Sequence, residues 1–209
     1  MPPVALPRRM FAGARMRFLR PLVIGRPARR QSVIRAVAEK VGRTGRLAFV
    51  TVAQSIRQDG ELCVEEEQDI VFREPGDPVP APRPCELAPA PAGAWTRVIT
   101  PDPTLLFRFS ALTFNAHRIH YDRSYAAATE GYPGLVVQGP LTAILLMDLV
   151  RWHARQPVTA FAFRAQAPLF DLAPFRLIGT PAGGRVRLEA QGPDGKTTMT
   201  ATADLAGDG

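Results

Sequence analysis

Hydrophobic and polar residues alternate with a period of two over 32–39, 47–56 and 62–72, and again over 159–165, 175–180, 185–190 and 197–205. That alternation predicts half-buried antiparallel strands. Gln58-Asp59-Gly60, Ala182-Gly183-Gly184 and Pro193-Asp194-Gly195 supply residues that accept the turn conformations hairpins need. A further strand-like stretch covers 105–112. Two segments break the pattern. Asp122 followed by residues 123–130 and Gly131 reads as a short helix with an aspartate N-cap and a glycine terminator. Pro140 then opens an apolar run to Val150, predicting a helix buried on nearly all sides.

Residues 74–103 hold nine prolines and little periodicity, predicting an extended connector without helix or central strand. They divide the chain into an N-terminal unit, 1–73, and a C-terminal unit, 104–209. The units echo each other: Arg17-Phe18-Leu19-Arg20-Pro21-Leu22 matches Arg164-Ala165-Gln166-Ala167-Pro168-Leu169 as R-x-x-x-P-L, and strands and an Asp-Gly hairpin follow each. About 60 partly helical residues precede Arg164 but only 16 precede Arg17. The first copy is therefore expected to be incomplete and to bury its uncovered sheet by pairing with another chain, unless the start is assigned late or the chain is a fragment. A central helix wrapped by antiparallel sheet is an α+β arrangement called a hotdog, here a double one.

The chain of 209 residues carries a net charge of +7, all of it in residues 1–73, which hold 14 Lys/Arg against 7 Asp/Glu. Nine arginines precede the first acid, Glu39, but five prolines and a single serine in that stretch argue for a strand with surface arginines over a mitochondrial leader. Cytoplasm is the expected compartment, the mitochondrial matrix the less favoured one. The basic surplus lacks interleaved aromatics, so no nucleic-acid partner is expected. No apolar run approaches the ~18 residues that span a bilayer, so no membrane is expected either. Cys63 and Cys85 alone exclude a disulfide scaffold and give no zinc motif, so no metal is expected. Glu65-Glu66-Glu67 reads as a solvated strand edge, and His153 as a helix-end histidine.

Candidate chemistry gathers at Thr113-Phe114-Asn115-Ala116-His117-Arg118-Ile119-His120-Tyr121-Asp122, which holds two of the three histidines. Downstream, Gln138-Gly139-Pro140-Leu141 combines a glycine with the first amides of a helix, which lack intrahelical acceptors and suit an oxygen gaining negative charge.

His120-Tyr121-Asp122-Arg123-Ser124-Tyr125-Ala126 and Gly134-Leu135-Val136-Val137-Gln138-Gly139-Pro140 resemble the MaoC-like hotdog hydratases and dehydratases of acyl-thioesters. Residues 109–122, with 17–22 and Glu66-Glu67-Gln68-Asp69-Ile70-Val71-Phe72-Arg73, are closer to one branch of that family. That branch holds mesaconyl-C4-CoA hydratase and the type 2 hydroxyacyl-thioester dehydratases. The resemblance implies reversible hydration of an enoyl-CoA, with His120 as the base and the Gly139 amide in the oxyanion hole. Coenzyme A would enter as part of the substrate, with no separate cofactor. The family signature D-x-N-P-x-H departs here, because Asn115 stands at the Asp position and His117-Arg118 at N-P. An amide cannot shuttle a proton, so Asn115 is left to orient water or His120, while His117, Asp122 or Tyr121 could supply a second proton-transfer group. Tyr121, Gln138, Pro140 and Leu141 are the expected substrate contacts. Two other readings are a dehydratase of 3-hydroxyacyl groups on acyl carrier protein and a non-catalytic acyl-CoA-binding hotdog protein.

Overall fold

A computed structural model describes residues 2, 4–42 and 45–207. Four strands come first: β1 (Arg8–Phe18), β2 (Arg29–Gly42), β3 (Gly45–Gln58) and β4 (Glu61–Arg73). Next come β5 (Trp95–Ile99), α1 (Pro103–Leu112), a 3-10 turn (Arg118–His120), α2 (Arg123–Ala128) and α3 (Gly139–His153). The chain closes with β6 (Val158–Ala165), β7 (Phe175–Pro181), β8 (Arg185–Gln191) and β9 (Thr197–Leu205). All nine strands form one antiparallel sheet in the order β2-β3-β4-β1-β6-β9-β8-β7-β5. The turns behave as their residues demand. Asp59 and Gly60 take φ +52° and +83°, Gly183 and Gly184 +50° and +68°, and Gly195 +77°.

Apart from β5, the strand order reads as a near-palindrome about the β1–β6 seam. Gly13 faces Arg164 and Arg17 faces Ala160, so the two R-x-x-x-P-L strands pair with each other through matching positions. The matching extends to the bonds that follow. Leu19 and Arg20 both donate to the Cys63 carbonyl, at 2.8 and 3.2 Å; Gln166 and Ala167 donate to that of Thr198 at the same distances. At the seam a Cβ on Gly13 would lie 2.4 Å from the Phe163 carbonyl oxygen, which only glycine avoids. Gly13→Ala is therefore expected to destabilise the fold by about 1–3 kcal/mol through overpacking, read as a lowered Tm.

The C-terminal half of the sheet curls around α3, burying Leu141, Leu146, Leu149 and Val150 against Phe161, Leu177, Val186, Leu188 and Ala203. Burial is one-sided, however. Ile144 is 51% exposed, because the sheet wraps the helix from one face while the sequence is apolar all round.

Three expectations are corrected. Residues 105–112 are helical, not strand-like: Asp102 caps α1 by accepting from the Leu105 amide at 2.8 Å, and Pro103 sets the first turn. Leu106 and Ser110, one turn apart, then share its buried face. The proline-rich segment is not connector throughout. Its proline-free run forms β5, an edge strand paired with β7, and Pro103 already belongs to α1. Glu65 and Glu67 lie on an interior strand, β4, where they pair with Arg17 at 2.9 Å and Arg15 at 3.3 Å. No helix among the described residues is long and apolar enough to cross a membrane.

Candidate active site

The segment between α1 and α2 is tied down at both ends. Thr113 ends α1, and Phe114 takes φ +51°, a left-handed conformation that turns the chain sharply. The Asn115 amide donates to the Ser110 carbonyl at 2.9 Å, while the Asn115 Oδ1 accepts from the His117 amide at 3.2 Å. At the far end Asp122 caps α2 through the Tyr125 amide at 2.9 Å and holds Arg118 at 2.6 Å. Those two bonds keep the Asp122 carboxyl below the usual carboxylate range. The carboxylate is thus occupied in shaping the loop. Tyr121 donates its hydroxyl to the Ala116 carbonyl at 2.9 Å, closing the same loop from outside.

His120 is buried, and its Nδ1 lies 2.7 Å from the Val136 carbonyl oxygen. A carbonyl can only accept, so Nδ1 carries the hydrogen and Nε2 presents its lone pair. Burial pushes the imidazole pKa down to about 4, the Val136 carbonyl opposes that, and the His117 ring adds to it. His117 stands edge-on, 5.6 Å away between ring centroids. Its own pKa is lowered by burial and by Arg9, against the pull of Glu130. Glu130 is itself held by Arg8 at 3.2 Å, an ion pair that fastens β1 to the end of the α2 region.

The sign of the resulting pH dependence is fixed. Between about 4 and the ordinary 6.5 the unfolded chain binds the proton at His120 and the folded chain does not. The stabilisation is therefore complete above pH 6.5 and lost as pH falls toward 4. The expected loss is on the order of 3 kcal/mol. Urea unfolding across that range should show it, and His120→Asn should flatten the slope.

The segment leading to α3 is anchored beside this ring, with an isolated bridge between Val136 and Phe170. Val136 donates to the Ile119 carbonyl at 3.0 Å and Val137 to that of Leu169 at 2.8 Å. Leu135 donates to the buried Asp171 carboxylate at 2.9 Å, which also meets Arg123 at 2.5 Å. Three residues beyond Val136, a reach of at most about 11 Å, Gly139 begins α3. Pro140 has no N–H and the Thr142 amide already donates to the Gln138 carbonyl at 3.1 Å. The Gly139 and Leu141 amides are then the first-turn donors without an intrahelical acceptor.

Of the expected substrate contacts, Leu141 sends its side chain into the core and Gln138 is fully buried. The Gln138 Nε2 donates to the Leu106 carbonyl at 2.9 Å and to the Ser110 Oγ at 3.0 Å. Ser110 and the Val136 carbonyl were not anticipated. A helical reading of α1 puts Ser110 on the inward face with Leu106, whereas a backbone acceptor leaves no trace in side-chain identity. A cavity of about 680 Å³ lies elsewhere, lined by Arg15, Arg17, Glu67, Ala160 and Thr202 among others. Its arginines already pair with its acids. Chemistry therefore favours the His120 region.

Residues 1–171 match the family model described as hydroxyacyl-thioester dehydratase type 2. The chain is 65% identical over 207 residues to mesaconyl-C(4)-CoA hydratase of Chloroflexus aurantiacus, covering 99% of this chain and 74% of that protein. It is 32% identical over 126 residues to the mitochondrial hydroxyacyl-thioester dehydratase type 2 of Schizosaccharomyces pombe, covering 59% of this chain and 41% of that one. Among solved structures, a MaoC-like dehydratase superposes with a TM-score of 0.80 at 16% identity, over 98% of this chain and 77% of the other. HtdX of Mycobacterium tuberculosis gives 0.72 at 20% identity, over 95% and 77%. Both establish the MaoC-like hotdog fold.

Proposed function

The chain belongs to the hydroxyacyl-thioester dehydratase type 2 family, and from that membership we propose that it hydrates an enoyl-CoA reversibly, most like mesaconyl-C4-CoA hydratase. One observation carries the mechanism: a buried, neutral His120 whose Nδ1–H is spent on the Val136 carbonyl, leaving Nε2 as the base. Nε2 takes a proton from water as the water oxygen bonds to the β-carbon. The π-electrons move toward the thioester carbonyl, whose oxygen gains negative charge facing the Gly139 amide at the positive end of α3. The imidazolium then returns its proton to the α-carbon, and the enolate collapses to the 3-hydroxyacyl thioester. Dehydration is the same path reversed. Asn115 orients the water, Asp122 holds the loop through Arg118 and Tyr125, and burial, with a smaller contribution from His117, keeps the His120 ring uncharged. Pro140 and Tyr121 border the acyl group. No metal or separate cofactor takes part in this scheme.

The strand palindrome supports a double hotdog whose units, 1–73 and 104–209, share the β1–β6 seam, the first being incomplete. In the second unit, Leu169, which ends R-x-x-x-P-L, and Phe170, which follows it, are 6% and 5% exposed; in the first, Leu22 and Val23 at the matching places are 42% and 47% exposed. Val37 on the outermost strand is 51% exposed. A second copy of the chain would cover this face. Light scattering that finds a monodisperse monomer at micromolar concentration would remove that part of the proposal. A cytoplasmic setting, with neither nucleic acid nor membrane as partner, fits the same chemistry.

The direct test follows the absorbance of the conjugated thioester in crotonyl-CoA and mesaconyl-C4-CoA. Decay with both identifies a hydratase, and the ratio of kcat/KM values ranks the acyl groups. No decay with either would favour an acyl-binding protein without activity.

A further inference from the structure

The hydrogen bonds around α1 form a route between the two halves of the site. Gln138 is the N-cap residue of α3, yet its side chain makes no capping bond to its own helix. Its Nε2 instead crosses to α1, donating to the Leu106 carbonyl at 2.9 Å and the Ser110 Oγ at 3.0 Å. Both acceptors belong to buried residues, 0% and 6% exposed. Ser110 also offers its carbonyl to the Asn115 amide at 2.9 Å. A single serine thus touches the residue before Gly139 with its side chain and the start of the histidine segment with its backbone.

We propose that Gln138 and Ser110 are positioning residues for the reaction. Their hydrogen bond sets the Gly139 amide, where the thioester oxygen is to be stabilised, against Asn115, where the water is to be oriented. The other end of the segment has its own tie, from His120 to the carbonyl of Val136, two residues before Gln138. Residues 136–138 therefore act as a common rail for Asn115, His120 and Gly139. The inference rests on the hydratase reading of that site.

A stability role explains the arrangement poorly. The Gln138 Oε1 is buried and has no hydrogen-bond partner among the described residues. A buried acceptor without a donor costs about 1–3 kcal/mol, and an apolar side chain of the same shape would avoid that. An amide kept in a fully buried place at such a cost is better accounted for by where its donor holds α1 than by what it adds to folding.

The test compares Gln138→Met, Ser110→Ala and the double variant with the wild-type chain, on crotonyl-CoA and mesaconyl-C4-CoA. Gln138→Met keeps the side-chain length and drops both polar atoms. The expected result is a fall in kcat of about 10- to 100-fold, with KM changed less than about threefold and Tm moved little, since relief of the unpaired Oε1 offsets the two bonds lost at Leu106 and Ser110. Ser110→Ala should show a smaller fall of the same kind, and the double variant should be no slower than Gln138→Met, because both remove one interaction. Retention of kcat within about threefold in Gln138→Met overturns the inference, and so do additive losses in the double variant. A fall that merely tracks a lower Tm overturns it as well. Should Gln138→Met fail to fold, Ser110→Ala decides alone, since it deletes one hydroxyl, with unchanged kcat counting against the proposal. A wild-type chain inactive on both thioesters would bring down the hydratase reading itself, and this inference with it.

Discussion

His120→Ala is expected to lower kcat/KM for thioester hydration by about 10²–10⁴-fold, the span that one positioned acid–base group contributes. The imidazole acts twice in the proposed cycle, taking the proton from water and returning it to the α-carbon, so its loss removes both transfers. The wild-type profile supplies a second signature. With the His120 pKa at about 4, the acid limb of kcat/KM should fall well below the ordinary 6.5 of histidine, and the base stays competent in mildly acidic buffer. In the alanine variant that limb should disappear with the activity. Folding is the control. The truncation leaves the Val136 carbonyl without its donor, a cost of about 1–3 kcal/mol, so circular dichroism and Tm must accompany the rates. A folded His120→Ala chain within about tenfold of the wild type would refute the assignment of His120 as the base.

Strand elements were legible wherever one face meets the core and the other meets water, because that alternation is a local record of a global position. The hairpin turns were equally plain, since Asp59-Gly60 and Gly183-Gly184 need a conformation few residues accept. Residues 105–112 misled because Leu105, Phe107 and Phe109 alternate like a strand, whereas the deciding features, the Asp102 cap and Pro103, lie just outside that window. The R-x-x-x-P-L repeat was a weak signal in sequence, and its weight comes from the seam, where the two copies pair through matching positions. For the candidate site, side-chain identities single out His120 and Asn115, with Gly139 proposed beside them. Nothing in them could show that a backbone oxygen from Val136 would choose the His120 tautomer. Nor could they show that Gln138 would turn away from its own helix toward α1, since that depends on how residues 28 and 32 positions apart come together in space.

Gly139→Ala is expected to fold and to lose about 10²-fold in kcat/KM, the penalty typical of displacing a reacting group by about an ångström. The position tolerates the methyl locally. A Cβ built on Gly139 meets nothing closer than the Met199 Cε at 3.9 Å, an ordinary van der Waals distance. Alanine also gains in helix propensity, by up to about 1 kcal/mol, against the strain a Cβ causes in the residue before Pro140. Tm should therefore move little. In the proposed mechanism the thioester carbonyl would use the open space beside that Cβ to reach the Gly139 amide, and a methyl placed there would keep the oxygen at a distance. Because Pro140 has no N–H and the Thr142 amide is committed to the Gln138 carbonyl, only the Leu141 amide is left in the first turn to compensate. An alanine variant with unchanged Tm and unchanged kcat/KM would move the oxyanion site away from Gly139. An equal loss of Tm and activity would reduce Gly139 to a structural glycine at the head of α3.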